Sequence, residues 1–105
     1  MPPPTREQIA PLLQQLGDGW QVRERGTERS VLYLERTYRF KNFAEAMRAA
    51  VAVGEMAEQQ AHHPDLYLAW GILRVEVWTH KIHGLTESDF IFAAKSDEIV
   101  AHLSP

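Results

Sequence analysis

The feature that most constrains this chain is the stretch Asn42–Ala61, "NFAEAMRAAVAVGEMAEQQA". Phe43, Ala46, Met47, Ala50, Val53, Gly54 and Ala57 recur at helical spacing, which predicts a long amphipathic helix with those residues on its core face. Asn42 and Glu45 have the form of a capping box at its start. The segments flanking this helix change period from 3.6 to 2. "WQVRE" and "SVLYLERTYRF" precede it as two strands, with "RGTE" as the turn between them. "DLYLAW" and "ILRVEVWTH" follow it as two more, broken at Gly71. In the second strand Leu32, Leu34, Tyr38 and Phe40 share a face, with Arg36 the exception. In the fourth, Leu73, Val75 and Val77 share one face, and Arg74, Glu76, Trp78 and His80 share the other.

Two further helices complete the pattern. "TREQIAPLLQQL" opens with a capping box, Thr5 and Gln8, and presents Ile9, Leu12, Leu13 and Leu16 on one side. Pro11 is awkward there unless the first turns are short or kinked, and Gly17 and Gly19 end the segment. After the turn "KIHG", Thr86 and Asp89 form a third box ahead of "ESDFIFAAKSDEIVAHL". The order α-β-β-α-β-β-α predicts an α+β fold, a four-stranded antiparallel sheet with helices packed on one face. The 105 residues make a single domain, 1–105, with 1–4 as an extended lead. Four strands leave two free edges, so a homo-oligomer is expected.

Composition removes several classes of function. There is no cysteine, which excludes disulfides, thiolate metal sites and a cysteine nucleophile, and suits a cytoplasmic home. Eleven Lys and Arg against fourteen Asp and Glu give a net charge of −3, which argues against a nucleic-acid binder. "RERGTER" reads as a solvated hairpin end. No apolar run is long enough for a membrane span, and "MPPPTREQ" reads as neither signal peptide nor lipidation site. There is no GxSxG and no glycine-rich phosphate loop.

The chemistry-bearing residues cluster at "EQQAHHPDLYLAW". Pro64 pushes the residue before it out of the α region, so His62 and His63 sit at the helix's C-terminal end. The partial negative charge of that end favours an imidazolium. Glu58 stands four residues before His62 and is expected to share its helix face and support it. His80, at the end of the fourth strand, could approach from the sheet. Histidines in different surroundings can donate one proton and accept another at neutral pH. Two blander readings stand beside this: His62 and His63 as mere helix caps, and a zinc site from His62, His63 and His80, although adjacent side chains diverge and no HExxH is present. Trp20, Tyr67, Trp70 and Trp78 read as core, with stacking over a flat heterocycle as the alternative.

These residues carry a resemblance to a known family. Glu58, three spacers, His62-His63-Pro64, then Trp70, His80 and Asp89 have the pattern of the pterin-4a-carbinolamine dehydratases. Gly19-Trp20, "FKNF" at Phe40 to Phe43, Thr79-His80 and "GLTESD" at Gly84 to Asp89 resemble the family too. The likeness runs from about Thr5 to Leu103.

The resemblance implies removal of water from a 4a-hydroxytetrahydropterin to give quinonoid dihydropterin, which recycles the cofactor of aromatic amino-acid hydroxylases. It implies no metal, no cofactor and no covalent intermediate, the pterin being the substrate. His62, supported by Glu58, and His80 are the expected acid–base pair; His63 would orient the ring or carry the second proton. Pro64 belongs to the expected pterin-binding set. Backbone groups from Ala61 to His63 and from Trp78 through Thr79 to Lys81 are expected to bind the pterin's polar edge. Trp20 and Asp89 are expected at the rim, Asp89 chiefly as a helix cap. The chain departs from the family after His80, at Lys81, Ile82 and His83, and at Leu68. The resemblance further implies dimers through sheet edges or tetramers through helices. The rival reading is a protein-interaction or assembly module on the same fold.

Overall fold

The computed structural model describes residues 2–26 and 30–103. The elements are α1 (Arg6–Leu16), β1 (Gln21–Arg25), β2 (Val31–Arg39), α2 (Phe43–Gln60), β3 (Asp65–Ala69), β4 (Ile72–Val77), a single 3-10 turn at His80–Ile82, and α3 (Glu87–Leu103). This is the expected α-β-β-α-β-β-α order. The "RGTE" turn lies partly outside the described residues, at Thr27 and Glu28.

The sheet is antiparallel throughout, in the order β1-β2-β4-β3. Two hairpins therefore meet along β2 and β4. Leu34, Tyr38, Leu73, Val75 and Val77 form the buried face, closed by Val53, Ala57, Phe90, Phe92 and Ala93 of the helices. Each large aliphatic side chain buried in this way contributes about 1.5–3 kcal/mol. Gly71, at φ 64°, turns β3 into β4; a Cβ there would stand 2.8 Å from the Phe40 carbonyl oxygen. The Phe40 N–H donates to the Gly71 carbonyl at 2.7 Å, which joins the second hairpin to the end of β2.

The structure revises several expectations. α2 buries Ala46, Ala49, Val53, Met56 and Ala57, whereas Phe43 and Met47 are exposed. The helix carries apolar residues on two stripes, so periodicity alone could not choose between them. Pro11 sits inside an uninterrupted α1, on its exposed side, where water can satisfy the carbonyl that its missing N–H leaves free. Only the first capping box is reciprocal. At Asn42 and Thr86 one half forms: Asn42 accepts the Glu45 N–H, and Asp89 accepts the Thr86 N–H. Arg36, the polar exception on the core face of β2, reaches Asp97 of α3 at 2.9 Å.

The outer face of the sheet is not a bare polar surface. Register places Glu35, Glu76 and Asp65 in one row across β2, β4 and β3. Like charges side by side are unfavourable. Arg23 pairs with Glu35, Arg25 with Glu76, and Arg74 with both. Glu76 is buried, which a carboxylate tolerates only when paired. Arg25 is thus folded onto the sheet, an exception to the solvated end read for "RERGTER"; Arg23 and Glu24 are exposed, and Thr27 to Arg29 lie outside the described residues.

Candidate active site

The end of α2 explains where the two histidines go. Ala61 takes the left-handed conformation, φ 51° and ψ 40°. Its N–H donates to the Glu58 carbonyl and the His62 N–H to the Ala57 carbonyl, the paired bonds of a Schellman cap. An alanine in this conformation is held against its preference, and such residues persist where the surroundings dictate them. The reversal ends helical spacing at Ala61. His62 turns inward, and His63, extended ahead of Pro64, turns out.

Glu58 therefore partners His63 and not His62, as the helical spacing had suggested. The His63 Nε2 hydrogen-bonds Glu58 Oε2, and both side chains are exposed. The inward His62 places Nε2 2.6 Å from Oδ1 of Asp89, on the first turn of α3. Its ring also packs on Phe92, centroids 5.8 Å apart.

Asp89 is fully buried. Its Oδ2 accepts from the Thr86 N–H and from the Thr79 hydroxyl, each at 2.8 Å. The Thr86 hydroxyl bonds Thr79 Oγ1 at 2.9 Å instead of completing a capping box. Asp89 is thus both the cap of α3 and the anchor of His62, and more than a rim residue. A carboxylate can only accept, so it fixes the His62 proton on Nε2 and leaves Nδ1 unprotonated.

β4 stops at Val77, short of the strand expected through His80. Thr79 pairs with Gly84 in an isolated bridge, and His80 opens the 3-10 turn between them. His80 is exposed and lies flat on Trp78, with centroids 4.4 Å apart and planes 18° apart. Lys81 is exposed on the same turn. The Gly84 end is braced from outside the sheet: a Cβ on Gly84 would stand 2.6 Å from Cβ of Pro3.

The structure therefore assembles His62–Asp89–Thr79, His63–Glu58 and Trp78–His80 where α2 ends, α3 begins and β4 runs out. Trp20 does not join them. It is buried, and its indole N–H lies 3.0 Å from both carboxylate oxygens of Asp97. Asp97 is eight residues along α3 from Asp89, about 12 Å away by helical rise. Three backbone donors expected to bind a ligand are spent internally: Ala61, His62 and Thr79, the last on the Gly84 carbonyl. The Asp89–His62 contact escaped the sequence reading because no local spacing links residues 27 apart. Among the described residues, no three His, Asp or Glu side chains are grouped so as to hold a metal ion. No helix among them is long and apolar enough to cross a membrane.

Fold and site together define a small α+β protein that gathers imidazoles, one of them anchored on a buried carboxylate. The sequence profile of the family described as Pterin 4 alpha carbinolamine dehydratase matches residues 2–99, and the chain belongs to that family. A protein of Rickettsia canadensis, strain McKiel, provisionally named pterin-4-alpha-carbinolamine dehydratase, is 46% identical over 90% of this chain and 82% of its own length. One from Methylococcus capsulatus, strain Bath, with the same provisional name, is 46% identical over 96% of this chain and 83% of its own. The crystal structure titled transcriptional coactivator/pterin dehydratase from Brucella melitensis is similar at TM-score 0.79 and 31% identity, covering 93% of this chain and 98% of that one. A pterin dehydratase-like protein described as a RuBisCO assembly factor in the alpha-carboxysome shares the fold at TM-score 0.63 and 19% identity, over 81% of this chain and 93% of its own.

Proposed function

We propose that the protein dehydrates a 4a-hydroxytetrahydropterin to quinonoid dihydropterin by histidine acid–base catalysis. The observation that carries this reading is His62, its Nε2–H directed at buried Asp89, with no hydrogen bond to its Nδ1 among the described residues. One imidazole delivers a proton to the departing hydroxyl as the bond from carbon 4a to oxygen breaks. Another accepts the proton from the adjacent ring nitrogen as the carbon–nitrogen double bond forms. Water leaves, and nothing is oxidised or reduced. His62 and His80 are the proposed pair. His63, held by Glu58, orients the ring or carries the second proton. Positioned acids and bases of this kind contribute typically ~10²–10⁴-fold each. The free edges at β1 and β3 support assembly into a homodimer or homotetramer.

The test is dehydration of chemically prepared 4a-hydroxytetrahydropterin, followed by the absorbance of the quinonoid product. A rate well above the uncatalysed one, lost with His62→Ala, is expected. A rate equal to the uncatalysed one would overturn the proposal in favour of an interaction or assembly module.

A further inference from the structure

The support beneath His80 continues beyond Trp78. The Arg25 guanidinium carbon lies 3.9 Å from the centroid of the Tyr33 ring and 4.9 Å from that of Trp78. Tyr33 and Trp78 meet edge to face, with centroids 6.2 Å apart. Arg25 is held in turn by Glu76, which Arg74 grips from the other side at 3.1 Å. A cation over an aromatic ring is attracted to it, and the planar guanidinium stacks where an ammonium would not.

We infer that Arg25 is a positioning residue for His80, acting through Trp78. Glu76 fixes Arg25, Arg25 and Tyr33 fix the indole, and the indole sets the plane of the His80 imidazole. A residue on the first hairpin, 55 positions before His80, thereby reaches the proposed proton-transfer group without touching a substrate. The inference rests on the reading of His80 given above for its consequence in catalysis, but the geometry can be measured apart from it.

The experiment follows the His80 ring C–H resonances by NMR, assigned by their loss in His80→Asn. In the native protein the Trp78 ring current should shift them upfield. Arg25→Gln should reduce that shift and lower kcat/KM roughly two- to fivefold, the worth of a half-exposed cation–π contact. Arg25→Gln leaves Glu76 short of a partner. The double variant Arg25→Gln/Glu76→Gln removes both charges with little change of shape, and should show the same loss of shift with the fold intact by circular dichroism. Arg23→Gln, two residues away on β1 and paired among the described residues with Glu35 and Gln21, should leave the His80 signals unmoved. Unchanged His80 signals in both Arg25 variants, or an equal change in Arg23→Gln, would overturn the inference. If the signals move but the native protein has no dehydratase activity, the positioning stands and the proposed function falls.

Discussion

Nε2 of His62 lies 2.6 Å from Oδ1 of Asp89, and this contact joins the end of α2 to the beginning of α3. The carboxylate sets the tautomer of the imidazole and caps the helix with its other oxygen. Asp89→Asn keeps the shape but can present an amide N–H to His62, which moves the imidazole proton to Nδ1. Turnover should fall ~10²-fold or more, as for loss of a correctly protonated acid or base. Stability should fall by about 1–3 kcal/mol, since a charged hydrogen-bond acceptor is removed. Both are read on one preparation by the pterin assay and by urea unfolding. Unchanged turnover with reduced stability would reduce Asp89 to a cap.

His62 and His80 should separate in stability while agreeing in rate. Alanine at either should lower dehydration ~10²–10⁴-fold. His62→Ala also leaves Oδ1 of buried Asp89 unpaired, though Oδ2 keeps Thr79 and Thr86, and should cost roughly 1–3 kcal/mol. His80 is exposed, so His80→Ala should stay within about 0.5 kcal/mol of the native protein. Near-native rates in both variants would remove the proposed pair.

Ala61→Gly should stabilise the fold. Glycine occupies the left-handed region without steric cost, and this is the position where helix caps favour it. After allowance for the freer unfolded chain, a gain of about 0.5–1 kcal/mol is expected. Thermal melting checks it, and a lower melting temperature would show that the conformation at Ala61 carries no penalty.

Alkaline pH should act through Tyr38. Burial holds its hydroxyl proton far above the ordinary tyrosine range, aided by the hydrogen bond to Asp97. A group whose folded pKa is raised contributes stability that is complete below its unfolded value, near 10, and is lost above it. Between the two values the loss should be about 1.4 kcal/mol per pH unit from this group. Tyr38→Phe should therefore show a shallower decline of stability above about pH 10. An identical slope in the two proteins would mean that Tyr38 ionises equally in both states.

Periodicity with cap and turn signals predicts every helix and strand, though not the 3-10 turn at His80–Ile82, because α2 is long and each strand pair is bounded by its own turn signals. Local spacing failed where the chain leaves regular structure. Glu58 and His62 are correctly spaced for a helix, but Ala61 ends the helix between them. β4 ends three residues before the strand pattern does, because Trp78 and His80 continue its alternation after the ladder has ended. Contacts between distant residues were beyond reach: Asp89 with His62, Asp97 with Trp20, and Arg25 with Trp78. The resemblance placed Asp89 near the site, but only the fold shows that its carboxylate faces an imidazole.

Pro3 against Gly84 makes the start of the described chain a neighbour of the turn that carries His80, although 77 positions separate Pro3 from His80. Whatever is joined ahead of Pro2 enters the molecule beside the proposed site. An affinity tag placed there would act as a wedge on the loop, and a dehydration rate measured on such a protein would report the tag as much as the fold. A tag after Leu103 extends from α3 instead, fourteen residues beyond Asp89.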